Sequence, residues 1–141
     1  MTRPDTQELL RLIEEMPNID TAMRELSSQA KAKTFSEALS DLLEERGMSV
    51  PKLCEAALLS RSFAYQLCEG VRAPGRDIVL RLSIVLGLSY DETQYLLRAA
   101  QRGALYPRVR RDAVIIYALS KHMNLSETDE VLVSLGEEPI L

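Results

Sequence analysis

An all-α fold is predicted for this chain, and three observations carry the prediction. Apolar residues recur three and four apart, as in Leu9, Leu10, Leu12, Ile13 and Met16, then Leu39, Leu42 and Leu43, then Ile78, Leu82, Val85 and Leu86. That spacing is one face of a helix. No stretch alternates apolar and polar residues with the β-branched enrichment that a strand needs. Gly47, Gly70, Gly87, Gly103 and Gly136 each follow a helical run, the place where a left-handed cap costs least without a Cβ.

Taken in order, helices are expected near 6–16 and 19–29, separated by Pro17, and then a small polar junction, SSQAKAKT, from Ser27 to Thr34. A helix near 35–46 follows and stops at Gly47. The next, near 50–57, opens on Pro51, whose missing N–H costs nothing in a first turn, and turns Leu53, Cys54 and Ala57 inward. Leu58 and Leu59 form a short turn to Ser60, which suits an N-cap because its hydroxyl accepts a backbone N–H of the next turn. The helix near 61–69 buries Ala64, Leu67 and Cys68 and leaves Arg61, Ser62, Tyr65 and Gln66 outside. Helices near 76–86, 90–102, 109–122 and 126–135 complete the chain, with Pro74 and Pro107 in connections. The expected division is an N-terminal helical arm, 1–34, a main domain, 35–97, and a C-terminal helical extension, 98–141.

A faint echo runs through the second half at a shift of 35 residues: RDIV at Arg76 matches RDAV at Arg111, and ETQYLL at Glu92 matches ETDEVL at Glu127. It reads first as coincidence between two amphipathic hairpins and second as one hairpin duplicated; two units are too few for a solenoid.

Hydrophobic residues make up 46% and charged residues 27% of the 141 residues, so the chain can bury a core. The longest apolar runs, such as VIIYAL from Val114 to Leu119, are too short to span a bilayer. The start, MTRPDTQELL, lacks the apolar stretch of a signal peptide, and a cytoplasmic protein with no membrane partner is the expectation. Cys54 and Cys68 fit that compartment as small buried hydrophobes. With one histidine and no CxxC pair, a zinc site has no ligand set. Paired acids such as Glu44–Glu45 and Glu137–Glu138 are adjacent and do not face each other on a helix. His122 has no serine or cysteine pairing signature around it, so no catalytic residue, metal or cofactor is implied.

The formal net charge of −4 argues against indiscriminate binding of polyanions. Its distribution is uneven: −1 over residues 1–34, −3 over 35–97, +5 over 98–122 and −5 over 123–141. Within 60–81, four arginines stand against two acids. The second basic group, Arg98, Arg102, Arg108, Arg110, Arg111 and Lys121, either flanks a polyanion or, the plainer account, offsets the acidic C-terminal tail and the N-terminal arm.

The segment from Phe35 to Leu97, with its ordered elements LLEERG, GMSVPKLCEAALLSRS, SRSFAYQLCEGVRAPGR and RDIVLRLSIVLGLSYDE, resembles the helix-turn-helix domain of the Cro/C1 repressor type, the XRE family. The likeness covers 63 of the 141 residues, and its most specific part is the run from Ser60 through Gln66 and Gly70 to Arg76. The resemblance implies a five-helix, lambda repressor-like domain that binds double-stranded DNA as a transcriptional regulator, with the helix near 61–69 in the major groove. It implies base reading by Arg61, Ser62 and Gln66, with Tyr65 nearby. Arginine can fork onto guanine and glutamine onto adenine, each pair contributing roughly 1–3 kcal/mol of discrimination. Ser60, Arg72 and Arg76 fall where the family grips phosphate or reaches toward the minor groove.

It further implies a homodimer, here through the helical extensions, with recognition helices roughly 34 Å apart. Three positions depart from the family pattern. Leu58 stands where glycine is common, and a left-handed non-glycine costs about 1–2 kcal/mol. Val50 stands where a polar residue often opens the first motif helix, and Glu69 would repel phosphate. Those departures and the acidic charge support the alternative, a helical protein–protein interaction module that keeps the helix-turn-helix framework and docks a protein partner through Phe63, Tyr65 and the flanking helices.

Overall fold

The computed structural model describes residues 6–23 and 33–141, and all regular structure among them is helical. The chain divides into two compact units, residues Met1–Ala32 and Lys33–Leu141. In the first, α1 spans Thr6–Glu15. Asn18 then restarts a helical stretch, its side-chain oxygen accepting the Thr21 N–H at 2.8 Å. The far end of the helix expected near 19–29 lies outside the described residues. Among the described residues no helix is long and apolar enough to cross a membrane.

The second unit holds α2 (Phe35–Glu45), α3 (Val50–Ala57), α4 (Arg61–Glu69), α5 (Arg76–Val85), α6 (Tyr90–Ala99), α7 (Arg110–Ser120) and α8 (Leu125–Ser134). Local chemistry sets these limits. Thr34 with Glu37, Ser89 with Glu92 and Asn124 with Glu127 form reciprocal capping boxes at the starts of α2, α6 and α8. Four of the five glycines read as stops have positive φ; Gly103 does not, and Gln101, with φ 57°, ends α6 in its place. This is why α6 is shorter than the 90–102 expected from the pattern.

One hydrophobic cluster runs from Phe35 and Leu39 on α2 through Leu53 and Leu67 to Leu97, Ile115, Leu132 and Ile140. The segment 98–141, read from the sequence as an extension, therefore shares the core of 35–97. Arg46, closing α2, donates to the Leu86 carbonyl at 2.8 Å and to both carboxylate oxygens of Glu92 at 3.0 and 3.1 Å, fixing α2 on the α5–α6 hairpin. Arg81 joins the last turn of α3 to the C-terminus by donating to the carbonyls of Ala57 and Ile140.

The 35-residue echo is a repeat unit built twice, which corrects the reading as coincidence. Hairpin α5–α6 and hairpin α7–α8 agree at matched positions in detail. Arg76 donates through Nε to the Gly103 carbonyl and through Nη2 to that of Ala104. Arg111, one repeat on, makes the same two bonds to Glu138 and Pro139. Thr93 and Thr128 are fully buried and donate to the carbonyls of their N-caps. Gln94 accepts the Leu105 N–H at 2.8 Å; Asp129 accepts the Ile140 N–H at 2.7 Å.

Where the hairpins meet they exchange partners: Arg76 forks onto Asp112, and Arg111 forks onto Asp77. Such reciprocity is the signature of two-fold, isologous packing. The sequence hid it because Gln94 and Gly87 of one unit are answered by Asp129 and His122 of the other, which keep the hydrogen bond and the positive φ but not the letters.

Candidate nucleic-acid interface

The α3–turn–α4 segment is set by three backbone devices. Ser49, not Val50, caps α3, its hydroxyl accepting the Lys52 N–H at 3.4 Å, while Val50 packs against the core. A polar, exposed side chain therefore does stand at this helix start, with Lys52 exposed in the same turn. Ser49 and Lys52 were not singled out in the sequence; the signal was a serine placed just before Val-Pro at a helix start.

Leu58 then takes the left-handed conformation, φ 56° and ψ 44°, and Leu59 N–H bonds back to the Cys54 carbonyl at 2.9 Å. The expected strained position is thus real. Ser60 caps α4 by accepting the Phe63 N–H at 3.1 Å. At the other end Gly70, φ 78°, lets the N–H groups of Val71 and Arg72 return to the Gln66 carbonyl. A Cβ there would lie 3.1 Å from the Ser36 hydroxyl on α2, so this corner is both turned and tightly seated.

The core face of α4 is Ala64 and Leu67, both buried. Cys68 is only half-buried. Burial pushes the Cys68 thiol above its ordinary value, and the charge of Glu69 acts in the same direction, so it is a poor nucleophile. Both cysteines are free.

Opposite that face, Arg61 and Ser62 are exposed, Tyr65 is 43% exposed and Gln66 is half-buried. Among the described residues the side chains of these four make no hydrogen bond or ion pair with the rest of the chain. Arg72 is exposed, and its guanidinium lies over the Phe63 ring at 5.3 Å from the centroid. That contact holds its stem beside α4 and leaves its N–H donors facing outward. The N-terminus of α4, with its unsatisfied first N–H groups, adds a partial positive charge next to Arg61.

Arg76 does not join this group, contrary to the expectation that it grips phosphate or the minor groove. Its fork binds Asp112 at 3.0 and 2.8 Å, and its remaining donors bind the carbonyls of Gly103 and Ala104. The physical reason is that Asp112 is almost fully buried and needs a cation. Nothing near Arg76 in the sequence announces this partner, 36 residues away.

Of the second basic group, Arg111 is absorbed by Asp77 and the tail carbonyls, Arg102 donates to the Pro74 carbonyl, and Arg110 lies 3.9 Å from Glu137. Arg98 and Arg108 are exposed. No group of acids, cysteines and histidine that could hold a metal ion exists among the described residues. Comparison with protein-family models, with curated proteins and with solved structures finds no match to this chain.

Proposed function

We propose that this protein is a DNA-binding transcriptional regulator of the Cro/C1-type, helix-turn-helix class, acting on double-stranded DNA as a homodimer in the cytoplasm. In this reading the five helices α2 to α6 are the reading domain and α4 enters the major groove. Arg61, Ser62, Tyr65 and Gln66 face base edges, and Ser60 and Arg72 face the phosphate backbone. Lys52 and Ser49 join the phosphate contacts, and Arg76 leaves them because its donors are occupied. The observation that carries the reading is the free outer face of α4: an arginine, a serine and a tyrosine exposed together and unpartnered beside Arg72. On α5 and α7, by contrast, the part-buried Arg76 and Arg111 are taken up by Asp112 and Asp77.

The second reading, a protein-docking module, draws on a different fact. Leu58 and Val71, at the two ends of α4, are 67% and 70% exposed. With Tyr65 they give this surface an apolar component that a partner protein could cover.

Binding of the DNA upstream of the protein's own gene, and selection from a random duplex pool, separates the two. For wild type we expect sequence preference and affinity that falls steeply with salt. Arg61→Ala and Gln66→Ala each lose about 1–3 kcal/mol of discrimination at one base position, whereas Arg72→Ala weakens all sequences alike and lowers the salt slope by about one unit. Wild type binding every duplex equally, or none, overturns the proposal, and recovery of a stable protein complex through the α4 face establishes the second reading.

A further inference from the structure

The loop between α6 and α7 is laid along the connection that carries Arg72. Arg102 donates through Nε to the Pro74 carbonyl at 2.9 Å, just beyond Arg72 in the chain. Arg76 donates to the carbonyls of Gly103 and Ala104 at 2.9 and 3.0 Å. Asp112 closes the arrangement, its Oδ2 accepting from Arg76 at 2.8 Å and from the Tyr106 N–H at 3.0 Å. From inside, the Gln94 side chain grips both backbone groups of the buried Leu105. Every residue from 102 to 106 is thus tied down, yet all of 101–110 except Leu105 is exposed.

The loop ends in a tight turn, closed by the Val109 N–H on the Tyr106 carbonyl at 2.9 Å and stiffened by Pro107. It presents Tyr106, 55% exposed, and Arg108 on an ordered backbone. Among the described residues neither side chain has a hydrogen bond or ion pair within the chain. The segment from Thr93 to Arg111 carries five arginines and no acid, in a chain of net charge −4. The architecture does not require that charge. At the matching positions of the second unit Glu137 and Glu138 replace Arg102 and Gly103, and Arg111 still makes the same two bonds to the loop backbone.

We propose that the α6–α7 loop is a second DNA-contact element, in which Arg102, Tyr106 and Arg108 bind the phosphate backbone flanking the site that α4 reads. The proposal rests on the DNA reading of α4 and extends it. Continuity with the α4 face selects the occupant: the bond from Arg102 to Pro74 joins the loop to Arg72 in one basic strip. Arg102 spends only its Nε in that bond and keeps its Nη donors, whose planar fork suits phosphate. Contacts of this kind hold the duplex in place without reading bases. A loop already ordered before binding gives up little entropy when it docks.

The experiment measures binding of the duplex selected from the random pool across a salt series. It uses a long form and a form trimmed to the base pairs that α4 covers. Wild type is expected to bind the long duplex more tightly and with the steeper salt dependence. Arg108→Ala lowers the salt slope on the long duplex by about one unit, leaves the preferred sequence unchanged, and loses less than wild type on trimming. Arg108→Lys keeps the slope, because a phosphate contact needs the charge. Arg102→Ala behaves as Arg108→Ala does, with urea unfolding run alongside because it also gives up the Pro74 bond.

If wild type prefers one sequence while Arg108→Ala keeps the full slope and the same response to trimming, the loop is no DNA contact and the reading of α4 stands. A changed sequence preference in Arg108→Ala overturns the assignment to phosphate. A wild type that binds no duplex removes both.

Discussion

Replacing Asp112 with alanine removes the partner on which the two hairpins most depend. Its carboxylate accepts two bonds from the Arg76 fork, at 3.0 and 2.8 Å, and one from the Tyr106 N–H at 3.0 Å. Its side chain is 5% exposed, and that of Arg76 is 28% exposed. Breaking a buried pair from one side costs about 3–5 kcal/mol because the remaining charge is stranded. Arg76 reaches some solvent and keeps the carbonyls of Gly103 and Ala104, so the low end applies, about 3 kcal/mol.

The repeat supplies an internal control. Asp77 makes the matching fork with Arg111 at 2.9 and 3.2 Å, but its side chain is 48% exposed. Asp77→Ala should therefore cost about 1 kcal/mol or less. Urea unfolding measures both: the Asp112→Ala midpoint should fall by roughly 1–2 M, and a double-mutant cycle with Arg76→Ala should return most of the cost as coupling energy. If Asp112→Ala loses no more than Asp77→Ala, burial is not what distinguishes the two pairs and the reasoning fails.

Two further outcomes follow from backbone and charge. Leu58→Gly should stabilise the protein by about 0.5–1 kcal/mol, because relief of the left-handed strain exceeds the unfolded-state entropy that glycine adds; thermal unfolding reads the sign, and a lower midpoint would show that Leu58 is held by packing. The carboxyl of Glu92 is raised by burial but lowered more by the Ser89 N–H and by Arg46, so it sits below its ordinary 4.5. A carboxylate with a depressed folded value contributes stability above pH 4.5 that is lost as pH falls through that lower value. Glu92→Gln should accordingly flatten the acid limb of a stability–pH curve in that window while changing its shape little near neutrality, and an unchanged acid limb would dismiss the Arg46–Glu92 tie as a source of it.

Local chemistry made much of the architecture legible. Apolar spacing placed α2 to α8 within a few residues, because each helix buries one stripe and stops where a cap can form. Ser60 and Gly70 were readable for the same reason, since a hydroxyl before a helix and a glycine after one are properties of four or five consecutive residues; the left-handed position of Leu58 was expected only from the helix-turn-helix resemblance. The outward face of α4 was readable as well, since Ala64 and Leu67 fix which side is buried and leave Arg61, Ser62 and Tyr65 on the other. Gln66, placed by the same rule, is half sunk because helix faces grade into one another.

What depended on distant partners was not legible. Arg76 and Arg72 look alike in the sequence, yet one is committed to Asp112 and the other lies over Phe63. The repeat was visible only as four letters here and six there, and became certain when Gln94 and Asp129 were found gripping equivalent N–H groups. A helix is decided by neighbours along the chain, so residue order determines it. Whether an arginine is free for a ligand is decided by groups dozens of residues away, and only the folded arrangement brings those within reach.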